Sequence, residues 1–137
     1  MSVGADIELL RHIYDQWSEG RFWDTSHYDP EIEFVISDGF PNTGTYTGLE
    51  GLGAGFKGWL ESWREMRFDL EGLHPAGERI LATFHLTGVG RVSGIEAELH
   101  GGHIWMFRGG RALRLEVYPS RPEAFEAAGL KDPDLPA

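Results

Sequence analysis

His103 is the residue through which this chain could do chemistry. It opens the run His103-Ile-Trp-Met-Phe-Arg-Gly-Gly-Arg-Ala-Leu-Arg-Leu-Glu-Val-Tyr118, which reads as a strand, a tight turn at Arg108-Gly109-Gly110-Arg111 and a second strand. The two-residue period of a strand puts His103, Trp105 and Phe107 on one face. An ionisable ring among aromatic side chains on a concave sheet suits a small-molecule pocket, where an imidazole can move a proton near neutral pH. A hairpin centred on Gly94 pairs His85 with His103 and brings Thr83 and Thr87 to the same face as a polar stripe. His85 or Tyr14 would then polarise a ligand oxygen while His103 acts as acid and base. The competing reading is a structural histidine, satisfied by Tyr14, a threonine or the backbone inside an ordinary aromatic core.

Around that centre, Trp17, Phe34, Trp59, Trp63 and Trp105 are the candidate lining of the pocket. Tryptophans at helical spacing are more often core, so a cavity filled by Trp59, Trp63 and Trp105 would favour a non-catalytic protein. Asp38, in Ile36-Ser37-Asp38-Gly39-Phe40, is either a carboxylate at the mouth or a turn former before glycine. Glu116 and Tyr118 share a strand face whose direction depends on whether a bulge intervenes. No metal site is expected. His100 and His103 are the closest pair, yet residues three apart on a strand face opposite ways, and no HExxH pattern is present. No cysteine is present to serve as nucleophile or zinc ligand, and no P-loop or other cofactor motif appears.

The elements that must position these residues follow from periodicity. Ile7, Leu10, Ile13, Tyr14 and Trp17 predict an amphipathic helix over 6–19, capped by Asp6 and stopped at Gly20. Glu31 to Ser37 alternates as a strand. Thr47-Gly48-Leu49-Glu50 has capping-box spacing, and Leu49, Leu52, Phe56, Trp59, Leu60 and Trp63 continue as a helical stripe. Its glycines at 51, 53, 55 and 58 each cost about 1 kcal/mol relative to alanine, and close packing is the simplest reason for them. From Arg67 the period becomes two, with strands over 67–73, 79–91, 95–108 and 111–118. A short helix over 121–128 ends at Gly129, and 131–137 is expected to be a flexible tail. Helices first and antiparallel strands after make an α+β domain over 1–130.

The chain has 137 residues, with 12 basic and 22 acidic side chains and a net charge of −10. That size supports one core, and that charge disfavours a phosphate backbone as partner. No apolar run reaches the roughly 20 residues of a membrane span, and the start lacks signal-peptide character, so a cytoplasmic protein is expected.

The order of the first helix, Tyr28-Asp29-Pro30-Glu31-Ile32-Glu33-Phe34, Gly48-Leu49-Glu50-Gly51, His103 to Arg111 and Glu116-Val-Tyr-Pro119 resembles SnoaL-like proteins. These belong to the nuclear transport factor 2-like superfamily, with ketosteroid isomerase, scytalone dehydratase and limonene epoxide hydrolase. The resemblance spans residues 6–130. It implies a cone-shaped α+β barrel with helices packed on a strongly curved, mostly antiparallel sheet and a pocket entering the cone. It also implies a small apolar, oxygen-bearing ligand and a cofactor-independent isomerase, cyclase or dehydratase, the alternative being a non-catalytic ligand-binding or dimerisation module. Against the ketosteroid-isomerase pattern, the general-base aspartate falls at Phe34, the oxyanion tyrosine near Ile13, and the second acid at His103. Steroid isomerisation by that apparatus is therefore not expected.

Assembly follows from the strand parity adopted above. With His85 and His103 inward, Ile80, Ala82, Phe84, Leu86, Ile104 and Met106 would form an outward apolar patch, which a homodimer through the outer sheet face would cover.

Overall fold

The computed structural model describes residues 3–37 and 43–133. Its elements are α1 (Val3–Ser18), a 3-10 turn (Thr25–His27), β1 (Tyr28–Ile36), β2 (Gly44–Thr47), α2 (Gly48–Glu61), β3 (Trp63–Ala76), β4 (Arg79–Gly90), β5 (Glu96–Arg108), β6 (Arg111–Tyr118) and α3 (Arg121–Ala128). One six-stranded sheet runs β2-β1-β6-β5-β4-β3. Every neighbouring pair is antiparallel except β1 and β6, which are parallel. The result is a cone-shaped α+β fold. No described helix is long and apolar enough to cross a membrane.

The first two helices cover the inner face of the sheet. α1 buries Leu10, Ile13, Tyr14 and Trp17, the stripe that its spacing anticipates, and the chain leaves it through Gly20 at φ +79°. The helix starts at Val3, so Asp6 lies inside its first turn rather than capping it. α2 buries Leu52, Phe56 and Trp59. A Cβ on Gly55 would stand 2.7 Å from Cδ2 of Phe34, so this glycine lets the helix lie directly on β1. The capping box does not form: Thr47 is the N-cap residue without a side-chain cap bond. Nor does Trp63 extend the helical stripe. It begins β3, four residues earlier than the alternation at Arg67 suggests.

The β4–β5 register differs from the one read off the sequence. The turn centres between Val92 and Ser93, closed by Gly90 N–H to Ile95 O at 3.0 Å and Gly94 N–H to Gly90 O at 2.9 Å. His85 therefore pairs with His100, and His103 pairs with Ala82. A shift by an odd number of residues exchanges the two faces of a strand. Ile80, Ala82, Phe84 and Leu86 are accordingly inward, in the main core with Trp105, while Thr83, His85 and Thr87 lie on the outer face. Ile95 is 68% exposed, just before β5 begins. The inner-face residues cannot form the outward patch from which a dimer was expected.

Part of the outer face has its own cover. Leu81 and Ile104 form a second core with Ala124, Phe125 and Ala128 of α3. Gly102 makes this possible, because a Cβ there would meet Cβ of Ala124 at 2.5 Å. α3 is capped by Ser120, whose side chain accepts from Glu123 N–H, and it ends at Gly129 in the left-handed region. The segment beyond it is anchored at least to Asp132, whose buried carboxylate binds Arg121 at 2.9 and 3.0 Å. Residues 134–137 of the expected tail lie outside the described residues.

Candidate functional site

β5 carries His103 inward with 2% of its surface exposed. Phe84 of β4 stacks on the imidazole with centroids 4.3 Å apart, a contact allowed because Gly101 leaves the ring room: a Cβ there would lie 2.7 Å from Cζ of Phe84. α1 meets the imidazole from the other side. The Tyr14 hydroxyl lies 2.5 Å from Nδ1 of His103, and the indole N–H of Trp105 donates to the same hydroxyl oxygen at 3.1 Å.

Hydrogen-bond satisfaction assigns the tautomer. An indole can only donate, so the phenol oxygen accepts from Trp105, and all three buried groups are satisfied when the Tyr14 hydrogen goes to Nδ1 of His103. The neutral imidazole then carries its hydrogen on Nε2. Burial drives the imidazole pKa from 6.5 down to about 3 and raises that of Tyr14, desolvation being the first cause for both. His103 is thus a neutral donor at physiological pH, and its use as a base is opposed by the cost of burying an imidazolium.

His103 borders a cavity of about 30 Å³. Trp17 and Phe22 close it on the α1 side and Phe56 and Trp59 on the α2 side, while Phe34, Phe68, Leu115 and Val117 come from the sheet. Among these residues His103 is the sole ionisable group. The volume exceeds the roughly 10–15 Å³ that one water needs and falls well short of the roughly 300 Å³ of a drug-sized pocket. An organic ligand would need the aromatic rings to turn aside.

The structure brings together only some of the residues singled out in the sequence. Trp17, Phe34, Trp59 and His103 share the cavity. Tyr14 and Trp105 stand behind His103 as its hydrogen-bond support rather than in the lining. Trp63 packs against Trp59 at 6.0 Å and lies outside the lining. His85, Thr83 and Thr87 are on the opposite face of the sheet. The buried Thr83 hydroxyl donates to Gly72 O at 3.4 Å. Asp38 lies outside the described residues.

Glu116 and Tyr118 also face outward, opposite the inward Leu115 and Val117, and Glu116 accepts from Arg114 at 2.6 Å and from Tyr118 at 2.8 Å. Phe56, Phe68, Leu115 and Val117 went unnamed as lining, although the helical stripe and the strand alternation already marked them as apolar. Which apolar residues border the void depends on how the helices sit in the cone, and periodicity is silent on that.

The fold is shared with solved structures of low sequence identity. A nuclear transport factor 2-like protein of unknown function from Burkholderia pseudomallei is 23% identical, with a TM-score of 0.76 over 92% of this chain and 97% of that one. TerC, co-crystallized with polyporic acid, is 22% identical, with a TM-score of 0.71 over 91% of this chain and 98% of that one. A protein of unknown function with a cystatin-like fold from Xanthomonas campestris is 13% identical, with a TM-score of 0.74 over 92% and 98%. No curated protein matches the chain significantly. The model of the SnoaL-like domain matches residues 10–115, well over half of the sequence, and the chain therefore belongs to the SnoaL-like domain family.

Proposed function

We propose that this protein binds a small, largely apolar, oxygen-bearing molecule in the cone, with the Nε2–H of neutral His103 donating to the ligand's oxygen. The observation that carries this reading is the Trp105–Tyr14–His103 chain of hydrogen bonds, which ends at the one ionisable group of an apolar cavity. The structural neighbour TerC, crystallised with an organic acid, agrees with such a use of the fold. Any turnover, whether isomerisation, cyclisation or dehydration, would draw on the same donor to stabilise a developing oxyanion. The depressed imidazole pKa favours that electrophilic role over acid–base catalysis by His103. The small cavity favours a second reading, a module of this fold without catalysis.

Trp17 and Trp59 border the cavity, so their fluorescence reports on its contents. Titration with hydrophobic phenols, ketones and polyketide-like compounds should quench it and raise Tm, because a ligand preferring the native state stabilises it. His103→Phe should weaken binding about tenfold, as expected for one hydrogen bond of roughly 1–1.5 kcal/mol. Equal affinity in that variant would rule out the donor role. Turnover of a bound compound by the unaltered protein, absent in His103→Phe, would set the catalytic reading above the binding module.

A further inference from the structure

We infer a transition-metal site on the outer face of the sheet, formed by His85, His100 and Glu98. It stands apart from the cavity and does not depend on the ligand-binding reading. His85 on β4 and His100 on β5 are directly opposite in the register, and their rings lie parallel, 4.4 Å apart between centroids. Glu98, two residues from His100 on the same strand face, places one carboxylate oxygen 2.7 Å from Nε2 of His85 and 3.7 Å from Nε2 of His100. One donor atom from each of the three residues lies within 4.8 Å of the other two. In a tetrahedral zinc site, bonds of roughly 2.0–2.2 Å put donor atoms roughly 3.2–3.6 Å apart. To complete the chelate the Glu98–His85 contact at 2.7 Å must therefore open, with the Nε2 proton of His85 lost or moved to Nδ1, while the wider pairs close. All three side chains are partly or largely exposed and free to make that adjustment.

A second carboxylate supports the arrangement. Glu71 is the extra residue of a bulge in β3, where Leu70 pairs with Phe84 and Gly72 with Thr83. The bulge brings its carboxylate to Nδ1 of His100 at 3.1 and 3.3 Å. A carboxylate accepting from Nδ1–H leaves the Nε2 lone pair for a metal, the relation by which metal-binding histidines are usually oriented. Arg121 of α3, 3.8 Å from Glu71, steadies that carboxylate. Two imidazoles and one carboxylate select a borderline ion such as Zn²⁺, Ni²⁺ or Cu²⁺ over Ca²⁺ or Mg²⁺, which prefer all-oxygen shells. The remaining position would hold water.

The test is titration calorimetry of the untagged, full-length chain with zinc chloride, repeated with calcium chloride. One zinc per chain should bind, and calcium should not compete. His85→Ala, His100→Ala and Glu98→Gln should each weaken zinc binding at least tenfold. Glu71→Gln, which only orients His100, should weaken it about 10–100-fold. Circular dichroism will show whether each variant is folded, and these partly exposed positions tolerate substitution. Cobalt substitution adds an absorption signature of tetrahedral coordination that must vanish in His85→Ala. Absence of saturable zinc binding at millimolar concentration overturns the inference. So does unchanged binding in the His85→Ala/His100→Ala chain, which would place the ion elsewhere.

Discussion

His100 and His103 stand three residues apart on one strand and live under opposite physical conditions. His103 is sealed among Phe84, Trp17 and Phe68, with one hydrogen bond to a tyrosine and a pKa depressed by burial. The His100 side chain is 48% exposed and lies between two carboxylates. The inner face holds its imidazole neutral and rigid, as suits a fixed donor in an apolar cavity. The outer face surrounds its imidazoles with anions and leaves them room to move, as suits cation capture. A single strand thus offers two chemistries because its faces differ in solvent access and neighbours rather than in residue type.

The sharpest way to break this comparison is to place a charge on either face. Phe84 is fully buried. Phe84→Glu should lose the roughly 3–5 kcal/mol of a large aromatic truncation and add a buried unpaired charge, against a total stability of about 5–15 kcal/mol. The expected circular dichroism is that of an unfolded or aggregated chain. A folded, soluble Phe84→Glu protein would instead put this side chain on the outer face and refute the inner assignment.

Tyr14→Phe is the next largest change. It leaves the Trp105 N–H and His103 Nδ1 unpaired in the core, each costing roughly 1–3 kcal/mol, so urea unfolding should show a loss of about 2–6 kcal/mol. A loss below about 0.5 kcal/mol would mean that this relay contributes no rigidity.

Acid should distinguish the faces as well. In the unfolded chain His103 takes up a proton near pH 6.5, while in the native protein it resists protonation down to about 3. The unfolded state therefore binds more protons between those values, and native stability falls as pH drops through that window. Denaturation between pH 7 and 5 should show this slope, and His103→Gln should flatten it. A wild-type profile level over that range would contradict a neutral, buried imidazole.

The smallest effect belongs to the outer face. His85→Gln and His100→Gln together should change metal-free stability by less than about 1 kcal/mol, because exposed ion pairs are worth little. Loss of several kcal/mol would show that the stacked pair is structural.

The elements were legible because burial patterns repeat within each of them. α1, β6 and α3 begin or end within about three residues of their periodic signals, and the α+β order followed from the switch of period from 3.6 to two. The site was legible only in part, because it depends on the register between strands. Placing the β4–β5 turn at Gly94, the obvious glycine, rather than between Val92 and Ser93 misaligned the strands by three residues. That error put His85 beside His103, and Thr83 and Thr87 in the cavity. The alternation of β4 gave no warning, since both of its faces carry apolar residues: Phe84 against the main core, and Leu81 beneath α3. A helix covering the second face removes the polar side that normally reveals which way a strand is turned. His103 escaped the error because its own face is marked by Trp105, independently of its partner strand.

The buried carboxylate of Asp132 has a practical consequence for anyone shortening or fusing this chain. It shares the Arg121 guanidinium with Glu71, so the last described turn of the protein is wired to the side chain that orients His100. Cutting at Lys131 would remove one anion from Arg121 and draw it fully onto Glu71, pulling that carboxylate away from the imidazole. A fusion joined after Pro133 would leave the linkage intact. Where the tail is cut thus becomes a handle on a surface site some thirty residues back along the chain.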